Sequence, residues 1–323
     1  MNMAPWPKPV IITGKLEPNY LWHLMAVARI GYDSEYADNF RHTVNPEDLA
    51  CLEDNKALLA FGEGEGGDLS GVFTTLPAWL GFENEPDLKS YFEIVQTALQ
   101  QGNLTPFVEA YPEADWSDRF FAHYLKSAKF TPAESDLIEK SRRLSRVCVD
   151  NFDSYHQQVW PRVQPALARR AAELKDYFQK LDYVAKWEHL LGIPFAADQY
   201  EILLCYANKN GPDYNSISYS SNLFYYDKPL EKTCQFLSHE IGTHLLIDIY
   251  FDLAAGGRYE HRKLYAAYET MAMFLNKLIL GTDELEYDLP RMNDKWHLKV
   301  YSEVYRKGMA PRDMILKALE QHE

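Results

Sequence analysis

"SHEIGTHLL", residues 238–246, puts two histidines and a glutamate on what reads as a single helix, with His239 and His244 five residues apart. A His-Glu pair with a second histidine downstream is how a helix presents two metal ligands and a base together, but the usual spacing is four residues. Four residues turn a side chain by about 40° around a regular helix, and five by about 140°. The two imidazoles therefore share a face only if a π-type turn absorbs one extra residue, a distortion found mostly at functional sites. Gly242 lies inside the interval and is expected to ease it.

The surroundings suit such a site. "YEILLCYA" (200–207) and "SISYSSNLFYY" (216–226) are rich in β-branched and aromatic residues, and the segment between them carries turn chemistry that includes Asn210-Gly211. They read as two strands forming a hairpin. A helix with Pro229 in its first turn then runs through the motif to about Leu253 and ends at "AAGG" (254–257). Further helices are expected over 258–280, 293–307 and 311–321.

The first 130 residues read as mostly helical. Asn45 caps a helix with Pro46 at its first position, Gly102 stops another that begins near Pro86, and "DWSDRFFAHYLKSAKF" (115–130) has helical spacing. Thr131, Pro132 and Glu134 supply a cap, a first-turn proline and a capping-box glutamate for a helical arm running to about Leu191, interrupted at Pro161 and Pro165. Gly62, Gly64 and Gly67 match the dinucleotide fingerprint in letters only. Glu63, Glu65 and Asp68 would repel a pyrophosphate, so a flexible surface turn is expected there. The expected fold is α+β and mostly α-helical, with a helical N-terminal region (1–130) and a second region (131–323) whose small β-sheet packs on the helix that carries the motif.

Composition narrows the partners. With 33 basic against 47 acidic side chains the net charge is -14, and no basic stripe is available for phosphates, so nucleic acid and anionic membrane are not expected. No apolar run reaches spanning length and the N-terminus lacks a signal-like apolar core, which leads to an expected cytoplasmic location. Cys51, Cys148, Cys205 and Cys234 form no C-x-x-C pair and are expected as buried thiols; Cys234, one turn before the motif, is weighed as a metal ligand and set aside.

A catalytic zinc ion needs three protein ligands and an open position. After His239 and His244, the residues in range for the third are Glu269, His261 and Glu260, with Asp252 also near in sequence. Glu269 lies at the edge of the apolar stripe of the following helix, beside Tyr265 and Ala272. Asp248 is placed to hold a ligating imidazole from behind.

"HEIGTH" resembles the six-residue signature of gluzincin metallopeptidases such as dipeptidyl peptidase III and the microtubule-associated tyrosine carboxypeptidases with their bacterial relatives. In the latter group a Glu-Gly-Leu-Ala segment on the next helix supplies the third ligand. Here "YETMA" (268–272) places Glu269 and Ala272 in register with it, while Thr270 and Met271 depart from Gly-Leu. The resemblance covers about residues 216–280 and implies that 131–323 is a zincin-like catalytic region and the protein a zinc-dependent peptidase acting on a peptide or protein, with one Zn2+ held by His239, His244 and Glu269.

In that chemistry Glu240 is the general base. His297 and Tyr301, with Tyr305, recur at four-residue intervals beside an apolar stripe, and with Tyr265 they are the candidates for a donor to the oxyanion, aromatic packing in the core being the other and favoured expectation for that face. Strand 216–226 is a candidate edge for an extended peptide. A protein of the same fold that binds peptide without cutting it is the competing expectation.

Overall fold

A computed structural model describes residues 8–32, 35–62, 65–121, 133–178, 180–209, 215–282, 295–305 and 309–321. The protein is α+β and mostly helical, with a four-stranded mixed sheet and a two-residue-per-strand ribbon. It divides into two compact units that do not follow chain order. One comprises Ile12–Lys175 and Glu201–Asp227; the other comprises Met1–Ile11, Asp176–Tyr200 and Lys228–Glu323. Thr131, Pro132 and most of the helix expected over 115–130 lie outside the described residues, as do Glu63, Gly64, Asn210 and Gly211.

In the first unit the main helices are α1 (Leu16–Val27), α2 (Pro46–Asp54), α3 (Glu85–Gln101), α4 (Ser135–Asp150) and α5 (Trp160–Phe178). Cap chemistry sets several ends. Asn45 accepts the Asp48 N–H ahead of α2, Asn84 accepts the Asp87 N–H ahead of α3, and Gly102 closes α3 in the left-handed region. The expected arm over 131–191 is broken into separate helices, with Pro161 in the first turn of α5 and Pro165 inside it.

The sheet consists of β1 (Val10–Thr13), β2 (Tyr200–Cys205), β3 (Asn215–Ser218) and β4 (Ser221–Tyr225), in the order β1-β2-β4-β3. The expected hairpin between 200–207 and 216–226 is replaced by a different pairing. β2 runs parallel to β4, and the 216–226 stretch folds on itself as the antiparallel pair β3-β4. Serine chemistry makes that turn without glycine: the Ser218 and Ser221 hydroxyls pair at 2.8 Å and Ser218 Oγ accepts the Ser220 N–H. Asp118 accepts the Tyr219 N–H at the tip. Ile202–Cys205 are all buried, as the unbroken apolar run of a parallel strand requires.

Gly67 is not the flexible turn expected of it. Its N–H bonds to Ala60 O at 2.8 Å, and a Cβ there would collide with the backbone of Ala57 and Leu58. Close approach of two backbones explains the glycine.

The unit's core holds a buried histidine. His23 accepts the Tyr36 hydroxyl at Nδ1 (2.8 Å), and its Nε2 faces Thr43 Oγ1 at 3.3 Å, whose own proton goes to Phe40 O. Both ring nitrogens are thus satisfied in the neutral form, and burial lowers the imidazole pKa to about 3. The unfolded chain binds the proton below about 6.5 and the folded chain does not, so stability is full above that pH and falls as pH drops toward 3. Replacing His23 by Gln is expected to flatten the pH dependence of urea unfolding between pH 6 and 4 by up to about 1.4 kcal/mol per pH unit; an unchanged slope would remove His23 as its source.

Candidate active site

The second unit is built around α7 (Leu230–Ala255), which carries the motif. α6 (Tyr183–Leu191) and α8 (His261–Leu280) pack against it, α8 along its length, while α9 (Lys295–Val304) and α10 (Pro311–Gln321) pack on α8. Pro229 occupies the cap position of α7, not its first turn. From Thr233 to Ile247 every residue is buried except Glu240, which is half-buried. A helix covered on all sides needs apolar residues all round, and Phe236, Leu237, Ile241, Leu245, Leu246 and Ile247 provide them. Glu240 is left as the one side chain of that stretch with substantial access to water.

The structure brings two of the sequence candidates into contact. His239 Nε2 lies 3.1 Å from Glu269 Oε2, although the residues are 30 apart in the chain. His239 is 2 % and Glu269 8 % exposed, so the carboxylate has exchanged water for the imidazole. Tyr265, one turn before Glu269 on α8, is half-buried. Its phenol pKa is pushed well above the ordinary value by burial first, then by the charge of Glu269, and further by that of Glu240.

His244 is also buried, and its ring lies 6.0 Å from that of Tyr200, a fully buried tyrosine whose phenol is raised by burial and by the charge of Glu240. The expected π-type turn is absent: residues 230–255 are α-helical throughout. On that winding His239 and His244 point about 140° apart. Among the described residues, no group of three or more His, Cys, Asp and Glu side chains is arranged to hold a metal ion.

Gly242 therefore has a different cause. A Cβ there would fall inside the Trp187 indole, and Trp187 Nε1 donates to Ser238 Oγ at 3.0 Å, one turn earlier on α7. The glycine makes room for an α6 tryptophan laid across the motif. Two backbone carbonyls within the motif carry side-chain donors. Thr243 Oγ1 donates to Glu240 O at 2.9 Å, and the Tyr268 hydroxyl of α8 donates to Thr243 O at 2.5 Å.

The remaining candidates are placed elsewhere. The Tyr301 hydroxyl donates to Ala267 O at 2.8 Å, with no exposed surface, and His297 is buried in stacked contact with it at 6.3 Å, so both sit in the packing of α9 on α8. His261 is exposed, with Nε2 2.7 Å from the Tyr250 hydroxyl. Glu260, Asp248 and Asp252 are exposed, and Asp252 pairs with Arg312 at 3.5 Å. All four cysteines are buried free thiols; burial pushes the Cys234 thiol up, against the lowering effect of hydrogen bonds from Tyr177 and Tyr183. No described helix is long and apolar enough to cross a membrane.

No family model, curated protein or solved structure matches the chain.

Trp187, Tyr200 and Tyr268 are site neighbours that the sequence reading missed. Gly242 was the available signal for the first, since a glycine inside an otherwise regular helix marks a close approach. Overpacking at this contact is expected to make Gly242→Ala less stable by about 1–3 kcal/mol. Trimming the ring with Trp187→Phe should relieve part of that loss, so equilibrium unfolding of the double variant should show a coupling above about 0.5 kcal/mol. Strict additivity would show that the two side chains do not meet.

Proposed function

We propose that the protein is a zinc-dependent metallopeptidase that hydrolyses peptide bonds in a peptide or protein substrate. The observation that carries the reading is the buried 3.1 Å contact between His239 Nε2 and Glu269 Oε2, which brings an imidazole and a carboxylate together from adjacent helices. These are the donor types of a catalytic zinc site, and they come from the positions that the gluzincin-like motif designates. His239, His244 and Glu269 would hold the ion. The donor set fits in chemistry, and His239 and Glu269 fit in placement; His244 reaches them only if the turn from 239 to 244 takes in one more residue. The side-chain donors on Glu240 O and Thr243 O favour that accommodation, because a carbonyl that loses its helical N–H there keeps a partner.

Zinc bound at these residues would acidify its water and polarise a scissile carbonyl. Glu240 then has a defined task. Its carboxylate, beside the first ligand and the accessible member of a buried stretch, accepts a proton from the attacking water and returns it to the leaving amine nitrogen. The buried rings around His239 and His244 exclude bulk water and strengthen each charge interaction made there.

A second reading is favoured by one observation, the regular α-helical winding that turns the two imidazoles apart. It is a peptide-binding protein of the same architecture without hydrolytic activity. Elemental analysis of protein purified without chelator separates the two, with about one zinc per chain expected on the first. Glu240→Gln should then retain the metal and lose about 10²–10⁴-fold in cleavage of a peptide library. Peptide binding without zinc and without cleavage would establish the silent protein instead.

A further inference from the structure

A cleft of about 590 Å³ opens in the first unit, and none of its lining residues belongs to the candidate active site. Its volume lies within the range of small-molecule sites, about 300–1,000 Å³. One wall is delivered by an uncommon piece of backbone. Gly71–Thr75 form a π-helical turn in which the Leu76 N–H bonds to Gly71 O, five residues back, and the Tyr91 hydroxyl of α3 donates to Val72 O at 2.6 Å. Such turns occur mostly at functional sites. The short helix Leu76–Leu80 continues from it and ends at Gly81, whose φ of 80° turns the chain so that Phe82 and Glu83 line the cleft.

The charge of the lining has one sign. Glu17, Glu83 and Asp87 contribute carboxylates, and no lysine, arginine or histidine is among the lining residues. Glu17 is the one that burial penalises. It is half-buried in the first turn of α1, and a Cβ on Gly81 would lie 3.6 Å from its Oε1. Burial raises its carboxyl pKa, against the lowering effect of its own N–H and of Lys15. Lys15 does not pair with it, since that ammonium goes to Glu201 Oε2 at 2.8 Å. Among the described residues Glu17 has no ion-pair partner. The rest of the lining is mainly apolar, and its rings are held in place: Phe82 lies edge-on to Tyr20 at 6.4 Å, and the Tyr111 carbonyl accepts the Trp116 indole at 2.9 Å.

We propose that the cleft binds a primary alkylammonium ion, with Glu17 as its half-buried counter-ion, Glu83 and Asp87 receiving the remaining N–H groups, and Phe82, Ile94 and Tyr111 covering the aliphatic stem. An ammonium presents three donors that need not share a plane, which suits carboxylates arriving from α1, from the turn after Gly81 and from α3; a planar guanidinium is matched to one bidentate partner. Aromatic rings beside the cation add to the attraction. The ion comes from a free amine or from the lysine side chain of a peptide, since both carry the same group. The site does not depend on the metallopeptidase reading.

Ligand-observed NMR titration of the full chain tests it with n-butylammonium, with n-butanol as the uncharged counterpart, and with a capped Ala-Lys-Ala peptide. The ammonium is expected to bind and the alcohol is not. Glu17→Gln keeps the shape and removes the charge, and should weaken the ammonium about 10–100-fold, the loss of a charge-assisted hydrogen bond. Ser90 is an exposed lining residue, so Ser90→Lys brings in a competing ammonium without touching the core and should weaken binding by at least about tenfold. Peptide binding alongside the amine assigns the site to a lysine side chain; amine binding alone assigns it to a free amine. Equal binding of n-butanol, no binding of n-butylammonium by wild type, or unchanged affinity in either folded variant would overturn the proposal.

Discussion

A carboxylate buried between two helices has to find its partners there, and the position of Glu269 against His239 follows from that constraint. An uncompensated charge in this setting costs several kcal/mol. The contact is therefore a condition on how α8 lies along α7: slide either helix by a turn and Glu269 is left without the imidazole. Tyr268 reinforces the same alignment from the neighbouring position, since its hydroxyl reaches the Thr243 carbonyl in the middle of the motif. Asn276 adds a third tie two turns later, donating to Gln235 O at 2.9 Å. Polar bonds thus fix a register that apolar burial alone, being non-directional, leaves loose.

An adjoining face of α7 is fixed by shape. Trp187 crosses the helix at Gly242, and its ring nitrogen reaches Ser238. A glycine inside a helix costs about 1 kcal/mol relative to alanine, which the burial of a whole indole, about 1.5–3 kcal/mol for a large apolar side chain, outweighs. The motif is consequently gripped by a tryptophan on one face and by a tyrosine and a carboxylate on another. Glu240 is what that enclosure leaves accessible.

How much of this the sequence revealed depends on whether the signal was local. Asn45 and Gly102 act at their own helix ends, so their chemistry was readable from a few neighbouring letters. Glu269 was singled out by its spacing from the motif, and its contact with His239 is the part of that reading the structure shows; the regular winding that turns His244 away was not legible. The turn at Tyr219-Ser220 was missed because serine hydroxyls and a distant Asp118 make it, in place of Gly or Pro. Gly67 and Gly242 were legible as glycines but misread as freedom, when each is a close approach whose other party, the 57–58 backbone or Trp187, is set by tertiary packing. For His297 and Tyr301 the sequence offered two fates, an oxyanion donor on a cleft face or aromatic packing in the core, and the structure shows packing; that the Tyr301 hydroxyl goes to the Ala267 carbonyl is what no periodicity could disclose.

The five-residue spacing can be weighed by magnitude. Admitting one more residue between His239 and His244 breaks one or two helical hydrogen bonds, each worth about 0.5–1.5 kcal/mol net. It also moves Gly242 relative to Trp187, a loss of packing worth about 3–5 kcal/mol at most, the cost of deleting a large aromatic outright. Donors already on the Glu240 and Thr243 carbonyls reduce the first cost. Against this stands the free energy of ligating zinc, about 10–16 kcal/mol in small structural sites at neutral pH. If the proposed ion binds, the winding of α7 would be a smaller term than the ligation it opposes; without it, the regular helix is the arrangement these contacts favour.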